Sequence, residues 1–382
     1  MVELGVDQFL KQEVERFKGK RIGLVTNMTG VSARLEPTID LFHVHPDIEL
    51  VALYGPEHGI RGDAKEGEKV ASGQDPYTGL PVYSLYGETR KPTKAMLEAI
   101  DTIVIDLQDI GTRYYTFIYT VANVMEACME ENKEVVVLDR PNPINGVRRE
   151  GNLVREDFRS FVGLYPLPVR HGLTIGEIAL LYKHEFGLDC DLTVIRMDGW
   201  SREMFFDDTG LLWVPASPNS TGQAMSILYP GTCLIEGTNL SEGRGTTRPF
   251  EVIGAPFVDG YRLAKRVNEK GLEGIIARPT SFIPTYQKHK DVLCSGIQLH
   301  VTDKSKVDSF KTGLYLLEAI AELFPNDLEF RDADKKRSFF NLLAGTDELK
   351  DVILAQKADH FLEKCEVEIE RFTKVTKPYL LY

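Results

Sequence analysis

Short apolar segments rich in valine, isoleucine and leucine recur along the first half of the chain. Their apolar positions do not alternate with polar ones, which is typical of strands whose two faces are both covered. Such segments occupy residues 21–26, 48–54, 102–106, 134–138 and 192–196. We therefore predict five buried strands in this part of the chain.

Helical patterns lie between these segments. Residues 115–131 carry apolar side chains at helical spacing, namely Phe117, Val121, Val124, Met125 and Cys128. A second helix is predicted to begin at Thr174, because Thr174 and Glu177 form a capping box ahead of an apolar run. Strands that alternate with helices predict βαβ units and a mainly parallel sheet, which is an α/β fold.

The pattern changes after about residue 213. Residues 215–222 have the composition of a loop, and residues 228–257 are rich in glycine, threonine and proline without a clear helix. Residues 308–324 again have a helical apolar face. The length of 382 residues favours two domains. We place them at residues 1–227 and, as a smaller α+β domain, at residues 228–382.

The composition excludes several classes of protein. A net charge of −12 without a basic tract argues against nucleic acid as a partner. No run approaches about 18 consecutive apolar residues, so we predict no transmembrane helix. The five cysteines are scattered and form no CxxC pair, which argues against a zinc site and a disulfide framework. The first residues also lack the basic and apolar regions of a signal peptide.

Polar side chains lie at the carboxyl ends of four of the predicted strands or just after them. Ligands of open parallel sheets bind at the carboxyl ends of the strands, so these positions carry candidate chemistry. They are Asn27, Glu57 with His58, Asp106 with Asp109, and Arg140. One such residue alone is equally well explained as a cap or turn residue, but four strand ends together predict a polar cleft.

Glu57 is the strongest single candidate for catalysis. It lies in the sequence GPEHG directly after an apolar strand, where glycines allow a tight turn and the close approach of a substrate. Burial at a strand end raises the pKa of a carboxyl group, which suits a general acid. His58 then orients Glu57 or binds substrate. The alternative is a surface turn in which both side chains face solvent.

Asp106 and Asp109 allow two interpretations. Either one caps the following helix, or one is the second carboxyl group that glycoside hydrolysis usually requires. The basic side chains near them in sequence are Arg113, Arg140, Arg170 and His171. Arginine holds a substrate carboxylate through two parallel hydrogen bonds, although each of these arginines taken alone is more often part of a structural ion pair.

The glycine-rich stretch 236–245 is a second candidate region. It contains Glu236, Asn239, Glu242 and Arg244. Long glycine-rich loops with ionisable groups often line binding sites, and we expect this loop to fold over the strand ends. The alternative is an ordinary flexible connector.

Several sequence motifs are absent. TNMTG follows the first strand in place of GxGxxG, and the chain contains no GxxxxGK[ST], GxSxG or HExxH. We therefore predict that the protein needs no nucleotide, metal or other cofactor. A metal site formed by scattered ligands leaves no spacing signature and stays an alternative. Its ligands would come from Glu57, His58, Asp106, Asp109 and His171.

Six segments in order along the chain support a more specific interpretation. They are GPEHGIRG (55–62), DLQDIGTRYYT (106–116), DRPNP (139–143), RHGLTIGE (170–177), PASPN (215–219) and YPGTCLIEGTNLSEGRGT (229–246). Together they resemble the exo-acting β-N-acetylmuramidases of bacteria. The resemblance extends from about Gly5 to the C-terminus, and six ordered motifs are far more specific than any one of them.

The resemblance implies both a fold and an activity. It implies a Rossmann-like N-terminal domain without a nucleotide, a smaller C-terminal domain, and a cleft between them. The implied reaction removes β-1,4-linked N-acetylmuramic acid from the non-reducing ends of peptidoglycan fragments, with Glu57 as general acid. Asp109, Asp106, Glu236 and Glu242 compete for the second catalytic role. Members of the family are commonly exported, which implies a periplasmic or lipoprotein location.

The implied substrate carries a lactyl carboxylate, so a cation is expected in the site. Arg61, Arg113, Arg140, Arg170 and Arg244 are the candidates, and Arg61 and Arg244 are favoured because glycines flank them. The alternative is that both arginines pair with nearby acids such as Asp63 or Glu242. Two other functions stay open, namely a metal-dependent peptidoglycan amidase or esterase and a non-catalytic peptidoglycan-binding protein.

Overall fold

A seven-stranded sheet forms the first part of the molecule. The computed structural model describes residues 1–62 and 72–382. The strands are β1 (Arg21–Thr26), β2 (Glu49–Gly55), β3 (Gly73–Gln74), β4 (Pro81–Ser84), β5 (Thr102–Asp106), β6 (Glu134–Leu138) and β7 (Asp191–Ile195). They lie in the order β3-β4-β2-β1-β5-β6-β7, and all neighbouring pairs are parallel except β3 with β4. The order reverses between β1 and β5, where open α/β sheets usually bind ligands.

The predicted α/β class and all five predicted strands are confirmed. The bounds of β1, β5 and β6 agree with the prediction, and those of β2 and β7 differ by one residue. The short edge strand β3 and its neighbour β4 were not predicted. They are two and four residues long, and β4 begins with Pro81, a position at which a strand tolerates the missing N–H.

Helices cover both faces of this sheet, which explains why the strands lack alternation. They are α1 (Gly5–Gln8), α2 (Val14–Phe17), α3 (Thr38–Val44), α4 (Lys94–Leu97), α5 (Phe117–Glu130) and α6 (Ile175–Glu185). On one face, Phe9 and Phe42 share a buried cluster with Leu24 and Val104. On the other face, α5 and α6 cover alternate strand residues such as Val137.

The two predicted helices are confirmed, although the first spans residues 117–130 and not 115–131. The capping box at α6 is formed, because the Thr174 hydroxyl accepts from the Glu177 N–H at 3.2 Å and the Glu177 carboxylate accepts from the Thr174 N–H at 3.0 Å. Helix α5 begins at Phe117 and not at residue 115. Tyr115 and Thr116 therefore lie in the loop before the helix, and both line the cavity described below.

The second part of the molecule is built around a three-stranded antiparallel sheet. Its strands are β8 (Val252–Ala255), β9 (Ile275–Phe282) and β10 (Cys294–Val301), in the order β8-β10-β9. Its helices are α7 (Gln223–Thr232), α8 (Gly260–Glu269), α9 (Ser309–Leu323), α10 (Phe339–Ala344), α11 (Leu349–Leu354) and α12 (Ala358–Thr376). The predicted helix at residues 308–324 is confirmed as α9, which Asp308 caps.

The expectation that residues 228–257 contain no clear helix was wrong. Helix α7 extends to Thr232 and continues as a 3-10 turn, Cys233–Gly237. Pro230 and Gly231 lower the helix propensity of this segment, but close packing compensates. A Cβ atom on Gly231 would lie 2.0 Å from the Ser309 carbonyl oxygen and would also meet Gly313 of α9. The glycines thus let two helices approach closely, which a propensity argument does not detect.

The two parts share one hydrophobic core. A single buried cluster continues from Ile118 and Ile178 of the first part to Leu228, Ile297 and Leu314 of the second. All five cysteines are buried and unpaired. Within the described ranges, none of the helices is long and apolar enough to cross a membrane.

Candidate active site

A cavity of about 340 Å³ opens where the carboxyl end of β2 faces the second part of the molecule. The first part contributes Glu57, His58, Tyr86, Tyr115, Thr116 and Phe161 to its lining. The segment before α7 contributes Ser217 and Asn219, and the second part contributes Glu236, Glu242, Arg244, Lys288 and Arg331 among others. A volume of this size accommodates a small ligand, and its polar groups come from both sides.

A tight turn presents Glu57 to the cavity. Directly after it, His58 and Gly59 both have left-handed backbone conformations, with φ of 73° and 75°. Such a conformation is uncommon for a residue with a side chain and persists only where the surroundings hold it. The turn closes through a hydrogen bond from the Gly59 N–H to the Pro56 carbonyl at 3.0 Å. The predicted turn at GPEHG is therefore formed, and His58 is buried beside Glu57.

Two hydroxyl groups fix the orientation of the Glu57 carboxyl group. The Thr116 hydroxyl donates to Glu57 Oε2 at 2.8 Å. Burial, together with the charge and hydrogen bond of Glu57, raises the pKa of Tyr86 to about 12. Tyr86 therefore keeps its proton at neutral pH and acts as a second donor to Glu57. Proton transfer by Glu57 can use this fixed geometry.

A chain of alternating charges forms the opposite wall. Arg244 Nη2 lies 2.8 Å from Glu236 Oε1, and Arg244 Nε lies 3.4 Å from Glu242 Oε1. Lys288 Nζ lies 2.8 Å from the other oxygen of Glu242. Burial raises the pKa of Glu236, and the nearby Glu242 adds to this effect, while Arg244 opposes it. The predicted glycine-rich loop thus supplies two carboxyl groups and one arginine that face the same space as Glu57.

The remaining residue predicted from this loop, Asn239, serves a structural contact. Its amide donates to the Asp327 carbonyl at 2.8 Å and accepts from the Glu329 N–H at 3.0 Å. These bonds hold the loop against residues 327–329, and Asn239 does not line the cavity.

Asp106 and Arg140 form a buried ion pair away from the cavity lining. Arg140 Nε and Nη2 donate to the two Asp106 oxygens at 2.6 and 2.9 Å, and the Thr38 hydroxyl donates to the same carboxylate at 2.5 Å. Asn27 is also buried, and its side-chain oxygen accepts from the Thr29 N–H and hydroxyl at 2.9 and 2.6 Å. These contacts hold the strand ends together and give all three predicted site residues structural partners.

Asp109 and His171 form a second buried pair. His171 Nε2 lies 3.0 Å from Asp109 Oδ2, and His171 Nδ1 accepts from the Leu173 N–H at 3.2 Å. The proton of a neutral His171 therefore lies on Nε2, which donates to Asp109. Asp109 also accepts from the Gly111 N–H at 2.6 Å. Neither residue lines the cavity, so Asp109 orients the loop between β5 and α5.

Two predicted arginines are fully buried in structural contacts. Arg170 pairs with Glu150 at 2.6 Å. Arg113 donates to four backbone carbonyl oxygens, which belong to Asn152, Leu167, Leu343 and Ala344. Burial lowers the pKa of both arginines. Neither guanidinium group reaches the cavity.

Arg61, which the sequence favoured, is also engaged elsewhere. Its Nε and Nη2 donate to the two oxygens of Asp75 at 2.9 and 3.0 Å, and its guanidinium lies 4.6 Å from the centre of the Tyr77 ring. Asp63, the neighbouring acid suggested from the sequence, lies outside the described residues. Arg61 does not line the cavity. Its contacts stabilise the loop that follows Glu57.

This pair gives a prediction about stability and pH. The hydrogen bonds from Arg61 and Thr78 lower the pKa of Asp75 to about 2. Because the folded-state pKa is depressed, the pair stabilises the protein above pH 3.8, and this contribution disappears as the pH falls towards about 2. We expect Asp75→Asn to lower the free energy of unfolding by about 1–2 kcal/mol at pH 7. This value is smaller than the full pKa shift would give, because solvent screens the partly exposed Arg61.

Urea unfolding of wild type and Asp75→Asn at pH 7, 4 and 3 measures this effect. The difference in midpoint should shrink at the lowest pH. Equal midpoints at pH 7 would show that the pair contributes nothing.

Several cavity residues were missed by the sequence analysis. Tyr115 and Thr116 lie in the segment RYYT, and Ser217 lies in PASPN, so all three were inside recognised motifs without being assigned a role. Lys288 and Arg331 lie outside every motif. No sequence signal separates these two cations from the other basic residues of the surface.

The alternative of a metal site is not supported by a cluster of ligands in the part of the chain that the structure describes. Among residues 1–62 and 72–382, no group of three or more histidine, cysteine, aspartate or glutamate side chains is placed to hold a metal ion. Of the five suggested ligands, Glu57 and His58 line the cavity, whereas Asp106, Asp109 and His171 take part in the buried pairs described above.

Comparison with known proteins gives consistent matches over the whole chain. The family model described as exo-beta-N-acetylmuramidase NamZ, N-terminal, matches residues 22–223, and its C-terminal counterpart matches residues 227–382. The peptidoglycan beta-N-acetylmuramidase NamZ of Bacillus subtilis (strain 168) is 47% identical, covering 100% of this chain and 91% of the relative.

Two solved structures from Bacteroides fragilis have the same fold. Both are crystal structures of DUF1343 family proteins, and each match covers 100% of this chain and 99% of the other. One is 38% identical with a TM-score of 0.91, and the other is 31% identical with a TM-score of 0.80.

Proposed function

Because the chain belongs to the exo-β-N-acetylmuramidase NamZ family, it is a glycoside hydrolase that acts on peptidoglycan, and we propose that the 340 Å³ cavity is its active site. The observation that carries this proposal is the placement of the Glu57 carboxyl group. It is fixed on one wall of the cavity, opposite the carboxyl groups of the half-buried Glu236 and the buried Glu242. Cleavage there releases β-1,4-linked N-acetylmuramic acid from the non-reducing end of a peptidoglycan fragment.

Glu57 is the general acid in this proposal. It donates a proton to the glycosidic oxygen as the bond to the anomeric carbon breaks, which prevents the build-up of an alkoxide on the leaving sugar. The Thr116 and Tyr86 hydroxyls hold the carboxyl group during the transfer. His58, which is buried next to it in the same turn, positions Glu57.

Glu236 is the second catalytic carboxyl group. It lines the same cavity, and burial raises its pKa, which suits a base that accepts a proton from water. Glu242 pairs with both Arg244 and Lys288, so it keeps these cations in place. Asp106 and Asp109 receive structural roles because neither lines the cavity and each is paired with a buried side chain.

The family membership decides between the functions that the sequence left open. A glycosidase family is neither the metal-dependent amidase or esterase nor the non-catalytic binding protein that were the alternatives. Export from the cytoplasm stays a prediction, which fractionation of cells would test.

Arg331 is our candidate for recognition of the lactyl carboxylate. Arg244 and Lys288 are already neutralised by Glu236 and Glu242. Arg331 is exposed at the cavity, and its guanidinium lies 5.1 Å from the centre of the Phe339 ring. In the described part of the chain, no carboxylate lies within ion-pairing distance of it. A substrate carboxylate can therefore supply its counter-charge.

We expect Arg331→Ala to lower the preference for a β-N-acetylmuramide over the matched β-N-acetylglucosaminide by about 10- to 100-fold. A hydrogen bond to a charged group contributes about 1.5–3 kcal/mol, and about 1.4 kcal/mol is a factor of ten. The measurement is kcat/KM on both substrates, with Arg278→Ala as the control, since Arg278 is exposed on β9 and does not line the cavity. An unchanged preference in Arg331→Ala would exclude this assignment.

A further inference from the structure

A second recess adjoins the cavity on the side of Glu57. It has a volume of about 190 Å³, and its lining includes Arg90, Asn123 and Leu164. It shares Tyr86, Thr116 and Phe161 with the 340 Å³ cavity. The two spaces are therefore neighbouring compartments of one cleft, and these three residues form the boundary between them.

The catalytic carboxyl group lies at this boundary. Thr116, which donates to Glu57 at 2.8 Å, and Tyr86, which is also hydrogen-bonded to Glu57, are both shared residues. A general acid must lie within hydrogen-bond reach of the oxygen that it protonates. The glycosidic oxygen therefore lies between the two compartments, and the sugars on its two sides occupy different ones.

The chemistry of the two compartments differs. The larger one contains the carboxylates and cations of the opposite wall, which suits the ring that carries the lactyl carboxylate. The recess contains no acidic side chain among its described lining residues and combines aromatic rings with hydroxyl and amide groups. Such a lining suits a neutral sugar. The apolar face of a sugar ring packs on an aromatic ring, and the sugar hydroxyls form hydrogen bonds with the polar side chains.

Phe161 provides the aromatic surface. Phe161 is 38% exposed and lines both compartments, so part of its ring surface is available to a ligand. The Arg90 guanidinium lies 4.9 Å from the centre of the Phe161 ring and 5.4 Å from the centre of the Tyr86 ring, so it bridges the two rings and fixes the platform.

We propose that the recess is the subsite for the leaving sugar, a neutral N-acetylglucosamine residue, and that Phe161 is its stacking platform. This assignment rests on the proposed function, since it takes Glu57 as the acid that protonates the leaving oxygen. It implies that recognition extends across the cleaved bond and is not confined to the sugar that is released.

The test compares two substrates that differ only in the leaving group. One is the disaccharide N-acetylmuramyl-β-1,4-N-acetylglucosamine, and the other is methyl β-N-acetylmuramide, which has no leaving sugar. We expect Phe161→Ala to lower the ratio of kcat/KM for the disaccharide to that for the methyl glycoside by about tenfold. Arg90→Met should lower the same ratio by a smaller factor, because it removes the bridge and keeps the ring.

A binding measurement tests the recess without turnover. Titration of free N-acetylglucosamine into the full-length protein, followed by NMR of the sugar, should show binding to wild type that is about tenfold weaker in Phe161→Ala. Tyr261→Ala is the matched control, since Tyr261 is a 78% exposed aromatic residue on α8. An equal loss on both substrates, or unchanged binding of N-acetylglucosamine, overturns the proposal. Absence of hydrolysis by wild type would contradict the proposed function instead, while the titration still decides about the recess.

Discussion

Glu57→Gln should lower kcat for the disaccharide by at least about 100-fold while leaving the fold intact. General acid catalysis contributes roughly 10²–10⁴-fold in rate. The glutamine side chain has nearly the same shape and can still accept from the Thr116 hydroxyl, which donates to Glu57 at 2.8 Å. It has no carboxylic proton to give, so the leaving sugar would depart as an alkoxide.

The leaving group distinguishes a general acid from any other catalytic role. In a 2,4-dinitrophenyl muramide the leaving group is 2,4-dinitrophenolate, a stable anion that needs no protonation. The rate loss in Glu57→Gln should therefore be much smaller on this substrate than on the disaccharide. Glu236→Gln should lose activity on both substrates, because a base or charge-stabilising group acts whatever the leaving group is.

The matched control is Glu88→Gln. Glu88 is an exposed glutamate close to Tyr86 in sequence, and it does not line the cavity. Its replacement should leave both rates within a factor of two. Near-normal turnover by a well-folded Glu57→Gln would exclude Glu57 from the chemistry. Equal losses of rate on both substrates would exclude the acid role and leave Glu57 as a base or nucleophile.

Arg113→Met should produce the largest loss of stability among single substitutions in this region, about 3–5 kcal/mol in the free energy of unfolding. Arg113 is fully buried, and it donates to Asn152 and Leu167 at 2.5 and 3.2 Å and to Leu343 and Ala344 at 2.9 and 2.8 Å. Methionine fills much of the volume but removes the arginine donor from all four carbonyl oxygens, although the Ala344 oxygen keeps the Asn152 amide as a donor at 2.9 Å. Each unsatisfied buried group costs about 1–3 kcal/mol, and removal of the buried cation offsets part of the sum.

The same substitution should also affect the site. Leu343 is a lining residue of the 340 Å³ cavity and belongs to the second part of the molecule, whereas Arg113 precedes Tyr115 and Thr116 in the first. The guanidinium group therefore ties the loop that holds Glu57 to the opposite side. We expect a lower kcat/KM at temperatures well below the unfolding midpoint.

Arg155→Met is the control for Arg113→Met. Arg155 joins the same regions, since it pairs with Asp347 and Glu348 at 3.1 and 3.0 Å, but its side chain is 52% exposed. An exposed pair of this kind contributes about 0–1 kcal/mol. Urea unfolding of both variants measures the contrast. A destabilisation by Arg113→Met no larger than that by Arg155→Met would contradict the argument.

The buried strands and the helix caps were predictable because they depend on local patterns. Valine, isoleucine and leucine at consecutive positions identified β1, β5 and β6 with their bounds, and Thr174 with Glu177 identified the start of α6. The turn GPEHG placed Glu57 at a strand end for the same reason. In each case the signal lies within a few residues of the feature that it predicts.

Helix α7 was missed because its stability is not local. Pro230 and Gly231 indicate a break in a helix, but Gly231 packs on Gly313, which is far away in sequence. Such close packing is decided by tertiary structure alone and overrides the local propensity.

The positions of the polar residues also depend on local sequence patterns, whereas their roles depend on contacts that are distant in sequence. The sequence alone determined that Asn27, Glu57, Asp106 and Arg140 lie at or just after the ends of buried strands, because each position is set by the strand pattern. Only the tertiary structure decided which of them face a cavity. Asp106 meets Arg140, which is 34 residues away, at 2.6 Å, and Glu242 meets Lys288 at 2.8 Å.

Ion pairs join residues that are distant in the chain, so no spacing in the sequence identifies the partners. A carboxylate that pairs with a buried arginine away from the cavity has a structural role. A carboxylate that faces the cavity, such as Glu57, can act on a ligand. The sequence therefore determined the positions of the candidate groups, and the packing of the two parts against each other decided their chemistry.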